Sequence, residues 1–320
     1  MSRVRIPSPA PRRNTTNFLN KTAKAVLFAF TAVFIYQKII RIFAMSQCFC
    51  LFLNGNQPLA GMVLEKLMTE KEISELALRQ SAADCGCAPQ DFFREENVVR
   101  ILNARPPQAR KDLTSKRFFD VVSIGRNSVV CACDALGEEA REFACTFRGK
   151  DCFGVRALRW IDEKLGRHGL TSGTPTLYFL PLKERKICSA EGMRFCRLEK
   201  EELSEYYLPE WRNALCYKRR ELDAFAVATF RGDRLAGLAG ASCDCNDMMQ
   251  IGVDVLPAFR GRGLGSALTA RLADEIEAAQ KAAFYCCESG NLASIKTALR
   301  RGFLPVKTQL SALPRLENDI

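Results

Sequence analysis

The spacing of apolar residues predicts helices and strands that alternate along the chain from residue 69 onwards. In the first half it predicts a helix over 69–83, a hairpin over 119–133, helices over 137–145 and 155–165, and a strand over 176–180. The first helix begins after Thr69, and Glu72 follows three positions later, which is typical of a capping box. The hairpin has Gly125 between its two apolar runs, where a tight turn is expected.

A longer series of elements follows a polar stretch at 183–186. Strands are predicted over 194–198, 224–230, 235–243, 248–255 and 283–287, helix within 200–215, helices over 263–281 and 291–301, and a last strand from residue 303. Leu264, Leu268 and Leu272 recur every fourth residue, so they mark the buried face of one long helix. The mixture predicts the α/β (α+β) class, with a smaller α/β domain over 68–185 and a second domain over 192–320.

Residues 1–67 differ from the rest of the chain. They combine basic residues with apolar runs at 25–36 and 42–53, each shorter than the roughly twenty residues that span a membrane. Lys38 and Arg41 lie between the runs, where a spanning helix would have to bury them. Three interpretations stay open: an upstream translation artefact, a membrane-associated anchor and a cleaved targeting segment. Contact with a membrane is expected only if residues 25–53 are a genuine anchor.

The net charge of +11 is concentrated in the same leader. Nine basic residues and one acid fall in residues 1–67, which leaves a net charge of +3 for the other residues. A surplus spread over the whole body would favour nucleic acid as a partner, whereas this distribution disfavours it. We therefore expect no nucleic-acid partner.

The chain has fifteen cysteines and one histidine. An odd number of cysteines without a disulfide framework is typical of a reducing compartment, which predicts a cytoplasmic location unless the leader is an anchor. Four pairs, at 48/50, 85/87, 131/133 and 243/245, have one intervening residue, fewer than the two to four that are usual in zinc sites. On a strand such a pair puts two small apolar side chains on one face. No metal is therefore predicted, and a site of cysteines alone is the alternative.

The motif that carries chemistry lies at 253–266, where an apolar strand ends at Pro257 and a loop with three glycines leads into a helix. Glycines let a ligand approach the backbone closely, and the first turn of a helix offers unpaired N–H groups to an anion. The P-loop pattern fails because no Lys-Ser/Thr follows the second glycine, and Gly-x-Gly-x-x-Gly fails at Ser266 and at Leu268. The loop therefore predicts a diphosphate site of another type.

The spacing Arg260-x-x-Gly263-x-Gly265 resembles the coenzyme A loop of the GNAT superfamily of N-acetyltransferases. Further along, Asn291 followed by Gly302-Phe303 resembles the segment that closes the acetyl-CoA site of that family. The resemblance covers about residues 192–310. It implies a GNAT-like mixed, mostly antiparallel central sheet flanked by helices. It also implies an acetyl-CoA-dependent N-acetyltransferase that moves the acetyl group directly to an amine of a small molecule or peptide. The chain is also similar to a bacterial group in which an extra α/β half precedes the catalytic domain.

The resemblance implies roles for individual residues. The loop would hold the pyrophosphate of acetyl-CoA through the backbone N–H groups of Gly261, Arg262, Gly263, Leu264 and Gly265, with Arg260 before them and Ser266 beside them. Val253 and Val255 would pair with the pantetheine arm, and the N–H of Val253 would polarise the thioester carbonyl. Asn291 would contact the cofactor. Three basic residues would lie near its phosphates, namely Arg262, Lys296 and Arg300.

Many members of the family carry a tyrosine seven residues after the matching Asn, and this chain has Ala298 there. Tyr285 is then the candidate general acid and Glu288 the candidate general base. Asp247 and Asp254 are alternative bases, and a covalent route through Cys286 is a further alternative. Because the usual tyrosine is missing, a non-catalytic acyl-CoA-binding or sensing module is the alternative function.

Overall fold

The computed structural model describes residues 67–113, 115–183 and 190–315. The leader predicted over 1–67 lies outside the described residues except for Leu67, and so does most of the polar stretch at 183–186. Among the described residues, no helix is both long enough and apolar enough to cross a bilayer.

The described residues contain the helices α1 (Glu70–Cys85), α2 (Gly137–Thr146), α3 (Val155–Leu165), α4 (Leu264–Ala278) and α5 (Leu292–Leu299). The capping box predicted for α1 is confirmed. The Thr69 hydroxyl accepts a bond from the N–H of Glu72 at 3.2 Å, and the Glu72 carboxylate accepts one from the N–H of Thr69 at 2.7 Å. A cap of this kind stabilises a helix by about 1 kcal/mol. α1 ends at Gly86, whose φ of 61° lets its N–H bond to carbonyls of the last turn.

The strands are β1 (Val98–Leu102), β2 (Phe119–Ser123), β3 (Ser128–Cys133), β4 (Leu170–Ser172), β5 (Thr176–Pro181), β6 (Arg194–Glu199), β7 (Asp223–Arg231), β8 (Arg234–Ser242), β9 (Met248–Val255), β10 (Ala282–Glu288) and β11 (Phe303–Pro314). Both predicted hairpins are confirmed, as β2–β3 and β7–β8. Between β6 and β7 the helical content consists of short 3-10 helices, over Lys200–Tyr206, Pro209–Trp211 and Arg220–Leu222.

All strands except β4 follow one another across a single sheet in the order β1-β3-β2-β11-β5-β10-β9-β8-β7-β6, and β4 pairs with β11. The β1–β3 and β9–β10 pairs are parallel, and the other pairs among the described residues are antiparallel. The predicted fold, a mixed and mostly antiparallel sheet flanked by helices, is confirmed. β5 and β11 join the strands of the first half to those of the second. One sheet thus runs through both predicted domains, and the boundary between them stays a prediction.

Successive side chains of β9 and β10 lie on opposite faces of this sheet. Ile251 and Tyr285 pack with the buried leucines of α4, as the spacing of those leucines predicts. Met248 and Phe284 pack instead with Ile73 of α1 on the other face. Full burial of one such side chain contributes about 2–3 kcal/mol. The two clusters therefore hold the central strands between α4 on one face and α1 on the other.

Candidate active site

β9 and β10 begin as a parallel pair and then separate. Their register ends with Ile251 opposite Tyr285, although β9 continues to Val255 and β10 to Glu288. β10 stays paired with β5 up to Glu288. The last residues of β9 therefore have β8 on one side and an opening on the other.

The backbones of Val253 and Val255 face this opening. The N–H of Leu256 donates to the carbonyl of Ala236, on the β8 side, at 3.0 Å, and the β8–β9 register continues from there without a shift. Because an antiparallel ladder bonds alternate residues to one neighbour, the even-numbered residues of β9 bond to β8. The N–H groups of Val253 and Val255 therefore point into the opening, in the direction that a bound extended ligand would need.

The glycine loop follows directly after the strand. Gly261 and Gly263 both have left-handed backbone, with φ of 77° and 76°, which favours glycine at these positions. A Cβ at either position would meet no atom within 4 Å, so the loop is open to a ligand. In α4 the N–H of Ala267 donates to the carbonyl of Gly263 at 3.0 Å. The N–H groups before Ala267 have no partner within the helix and lie at its positive end.

Arg260 joins the loop to the end of the strand. Its Nε donates to the carbonyl of Val255 at 2.8 Å, so its guanidinium lies at the rim of the opening. Gly265 brings α4 close to the same point, since a Cβ there would lie 3.7 Å from Val255. The Ser266 hydroxyl is buried and donates to the carbonyl of Thr297 at 3.4 Å, so Ser266 can serve a ligand through its backbone only. The basic candidates Arg262, Lys296 and Arg300 are exposed.

Tyr285 lies in the core beside α5. Its side chain is buried, and its hydroxyl donates to Oγ of Ser294 at 3.1 Å. Burial raises the pKa of Tyr285 to about 12, so the phenol keeps its proton at neutral pH. Asn291 caps α5, because its Oδ1 accepts a bond from the N–H of Ser294 at 3.1 Å. Ser294 thus links two predicted site residues, whereas Ala298 is fully buried and offers no hydroxyl.

The face of the sheet opposite α4 presents other side chains at the opening. Nε2 of Gln250 donates to Sγ of Cys286 at 3.3 Å, where the two strands begin to separate. Burial raises the pKa of Cys286 to about 11, so its thiol is protonated at neutral pH and is a poor nucleophile. Glu288 is exposed at the end of β10. An amide, a thiol and a carboxylate therefore lie along this side of the opening.

The two alternative bases have other positions and partners. Asp254 accepts bonds from the N–H and side-chain amide of Asn213 and from the N–H of Ala214, at 2.7–2.9 Å. Gly252 permits this close approach, because a Cβ there would overlap the carbonyl of Asn213. Asp254 thus holds a loop against the sheet. Asp247 precedes β9 and is about 20 Å along the strand from Val253, at 3.3 Å per residue.

The described Cys-x-Cys pairs have different surroundings. Cys131 and Cys133 are buried on β3, as the strand interpretation predicts. The 85/87 pair flanks the end of α1, and the 243/245 pair lies between β8 and β9. Within residues 67–113, 115–183 and 190–315, no group of three or more His, Cys, Asp or Glu side chains is placed to hold a metal ion.

The comparison with protein families concerns the same part of the chain. The family model described as the acetyltransferase (GNAT) family matches residues 192–303, which include β9, the glycine loop and α5. Residues 192–303 match the GNAT superfamily. The match confirms the resemblance seen in the loop sequence, and it supports an acyltransferase. No curated protein matches the chain.

Several solved structures are similar to parts of the chain. A GCN5-related N-acetyltransferase-like protein from Streptococcus suis is 15% identical, with a TM-score of 0.39, and the similarity covers 48% of this chain and 66% of that one. The chain thus spans slightly less than two thirds of that relative. A protein from Drosophila is 14% identical over 78% of this chain and 99% of its own, with a TM-score of 0.42. The Salmonella typhimurium protein yncA, solved with its cofactor acetyl-CoA, is 18% identical over 41% and 98%, with a TM-score of 0.29. Because these TM-scores are low, the assignment of residues 192–303 to the GNAT family rests on the family match alone.

Two residues near the opening, Gln250 and Ser294, are not predicted by the sequence, because no glycine motif or similar pattern marks them. Gln250 alternates with Val253 along β9, which puts it on the opposite face, but nothing local in the sequence marks where β9 and β10 separate. Ser294 has the spacing of a capped residue after Asn291, so that bond was predictable. Its bond to Tyr285 depends on how α5 packs against β10.

Proposed function

We propose that residues 192–320 bind acetyl-CoA and transfer its acetyl group directly to an amine. The observation that carries this proposal is the pair of backbone N–H groups of Val253 and Val255 that point into the opening, on a strand that leads straight into the glycine loop and the N-terminus of α4. An extended amide chain can pair with a free strand edge, while a diphosphate at the end of that chain reaches the loop. Acetyl-CoA combines both parts in one molecule.

The loop would supply the donors for the pyrophosphate. The backbone N–H groups of residues 261–265 would bind its oxygens, with Arg260 at the rim and the exposed Arg262, Lys296 and Arg300 available to the other phosphate. The Oδ1 of Asn291 is engaged as a helix cap, so Asn291 would contact the cofactor through its amide NH2.

The N–H of Val253 would donate to the thioester carbonyl oxygen and stabilise the negative charge that develops there. The neutral amine attacks the carbonyl carbon, the C–N bond forms, and the C–S bond then breaks with its electron pair leaving on sulfur. One proton of the amine passes to a base, for which Glu288 is the candidate, and the thiolate takes a proton to leave as CoA. Tyr285 keeps its proton at neutral pH and is the candidate donor. Direct transfer needs no enzyme thiolate, in keeping with the protonated thiol of Cys286.

We further propose that the acceptor is a small molecule or a peptide, and that nucleic acid is not a partner, because the chain beyond the leader has a net charge of only +3. The fifteen cysteines support a cytoplasmic location.

Release of CoA in the presence of a panel of amines tests the proposal. We expect release that depends on at least one amine, saturates with acetyl-CoA and adds one acetyl group to the mass of that amine. The panel should include alkyl amines, aryl amines and peptides with free N-termini and lysines. No binding of acetyl-CoA to the full chain would contradict the proposal.

A second function, an acyl-CoA-binding or sensing module, is favoured by one observation. Ala298 is fully buried at the position where related enzymes carry a tyrosine, so that helix offers no proton donor there. Tight binding of acetyl-CoA with no release of CoA for any amine of the panel would support this second function instead of transfer.

A further inference from the structure

A cavity of about 450 Å³ lies between α1 and the face of the sheet opposite α4. Its walls are mainly apolar and include Ala77, Leu78, Leu180, Met248, Phe284 and Val306. Lys71 and Glu75 also line it, and their side chains are 86% and 51% exposed and lie 3.9 Å apart. The cavity therefore meets solvent at a rim whose two charges balance. None of these residues belongs to the proposed acetyl-CoA site.

Lys307 is a charged residue of this lining that forms no ion pair with any described residue. The register of β11 against β5 shifts between Pro305 and Lys307, so that Lys307 comes opposite Tyr178. Its Nζ lies 3.9 Å from the centre of the Tyr178 ring. Among the described residues Lys307 makes no side-chain hydrogen bond and no ion pair. The bulge thus brings an ammonium group to a wall of the cavity that is otherwise mainly apolar.

The neighbouring charged groups are Arg110 and two carboxylates that form ion pairs with it, Asp84 at 2.7 Å and Asp112 at 3.9 Å. The buried Arg110 side chain donates to the Asp84 carboxylate at 2.7 Å. It also donates to the Tyr178 hydroxyl and to Gln309, each at 3.1 Å. Burial and the positive charge of Arg110 lower the pKa of Lys307 to about 8, against the attraction of Asp84. At pH 7 the ammonium of Lys307 is still mostly charged, and no carboxylate of the described residues forms an ion pair with it.

This arrangement selects a class of ligand by charge and polarity. A carboxylate would give Lys307 the direct ion pair that it lacks among the described residues, and an apolar body would fill the rest of the cavity. An amine would be repelled by Lys307 and Arg110. An uncharged apolar molecule would leave the ammonium without a direct ion pair. A diphosphate would bring more charge than a single free ammonium can balance.

We propose that the cavity binds a carboxylic acid with an aliphatic or aromatic body, and that its carboxylate pairs with Lys307. The site is close to the proposed transfer point, because Phe284 lies opposite Gln250 and Gln250 bonds to Cys286 at the opening. A bound acid would therefore lie on the same face of the sheet as the side of the opening that carries Cys286. The proposal is independent of acetyl transfer, since it rests on a different set of residues.

Isothermal titration calorimetry of the full chain with decanoate, decanol and decylamine tests the preference for a carboxylate. The three probes share one aliphatic body and differ in the charge of the head group. We expect decanoate to bind roughly tenfold or more tightly than decanol, and decylamine to bind most weakly. Equal affinities for the three probes would overturn the proposal, because Lys307 would then contribute nothing to recognition.

Substitutions locate the site. Lys307→Met removes the charge but keeps a side chain of similar length, so it should lower the affinity for decanoate roughly tenfold and leave that for decanol unchanged. Lys71→Met is the matched control at the exposed rim and should change neither affinity by more than about twofold. Ala77→Phe should fill the cavity from α1 and abolish binding of both probes. Thermal melting of each variant checks that it is folded. Full affinity for decanoate in folded Lys307→Met or Ala77→Phe would contradict the proposed site.

The affinity for decanoate should also depend on pH. A carboxylate prefers the charged ammonium, so the affinity should be constant near pH 6–7 and fall about fivefold between pH 8 and pH 9. The titratable groups around Lys307 are Asp84 and Cys85 of α1, Arg110 of the loop after β1, Tyr178 of β5 and Cys286 of β10. Lys307→Met should remove the fall. A fall that persists in this variant would assign the titration to another of these groups and contradict the pairing with Lys307.

Discussion

Replacing Gly263 by Asp should prevent the binding of acetyl-CoA and leave the fold intact. Gly263 immediately precedes α4 with a φ of 76°, and a Cβ there would meet no atom within 4 Å. A side chain in this left-handed conformation costs about 1–2 kcal/mol of stability, and less for Asn and Asp than for other residues. The Asp carboxylate would in addition lie where the pyrophosphate is expected, at the positive end of the helix.

The electrostatic loss can be worked out from this position. Pyrophosphate carries about two negative charges, and the carboxylate would lie roughly 6 Å from them. With an effective dielectric constant of about 40 the repulsion is about 3 kcal/mol, which corresponds to binding that is roughly 100-fold weaker. Gly263→Asn has a side chain of the same size and tolerates the same backbone without the charge. It should weaken binding by less than about fivefold.

Isothermal titration calorimetry with acetyl-CoA, together with thermal unfolding, measures both effects. Gly232→Asp is the matched control, because Gly232 also has left-handed backbone, with a φ of 59°, and open surroundings in the turn between β7 and β8. It should lose similar stability and no affinity. Equal affinities for acetyl-CoA in the Asp and Asn variants of Gly263 would refute the interpretation of this loop as a diphosphate site.

Three further substitutions test the site and its support. Gly252→Ala should lower the free energy of unfolding by roughly 2 kcal/mol or more, since the new Cβ would overlap the carbonyl of Asn213; an unchanged denaturation midpoint would contradict that close packing. Tyr285→Phe should lower kcat roughly tenfold or more with little change in acetyl-CoA affinity, and a wild-type kcat would remove Tyr285 from the role of acid. Asp84→Asn should cost about 3 kcal/mol of stability, because the buried Arg110 loses its closer counter-charge and keeps only Asp112 at 3.9 Å. Burial raises the pKa of Asp84, but the charges of Arg110 and Lys307 and the hydrogen bonds from Arg110 and Gln80 together outweigh it and keep that pKa below its ordinary value. The stabilisation is therefore complete above the unfolded pKa near 4 and is lost as the pH falls through the folded value. If acid destabilised wild type and Asp84→Asn equally, this linkage would be contradicted.

Local sequence signals predict the elements whose ends or faces are chemically marked. α1 begins at its capping box, and β9 coincides with the apolar run at 248–255. β1 carries no comparable signal, because Arg100 stands at its centre and it lies at the edge of the sheet with β3 as its partner. The chain between β6 and β7 forms only short 3-10 helices. Part of it is held by bonds from Asn213 and Ala214 to Asp254 rather than by an apolar stripe of its own.

The candidate site likewise has one part that the sequence predicts and one part that it does not. The loop is predictable because left-handed backbone at Gly261 and Gly263 selects glycine, and glycines can be read from the sequence. The opening between β9 and β10 is not predictable from the sequence. It exists only because β10 separates from β9 after Tyr285 and stays paired with β5. The environment of Lys307 is equally hidden, since a bulge in β11 decides which residue lies opposite Tyr178. Such features depend on contacts between residues that are distant in the sequence.

Amide hydrogen exchange with and without acetyl-CoA tests most directly whether the cofactor binds along the free edge of β9. The N–H groups of Val253 and Val255 point into the opening and those of the loop lack helical partners, so these amides should exchange rapidly in the free protein. We predict that acetyl-CoA slows exchange in residues 253–266 and leaves β7, which is already paired on both sides, unchanged. Saturating acetyl-CoA that leaves exchange in residues 253–266 unaltered would contradict the account.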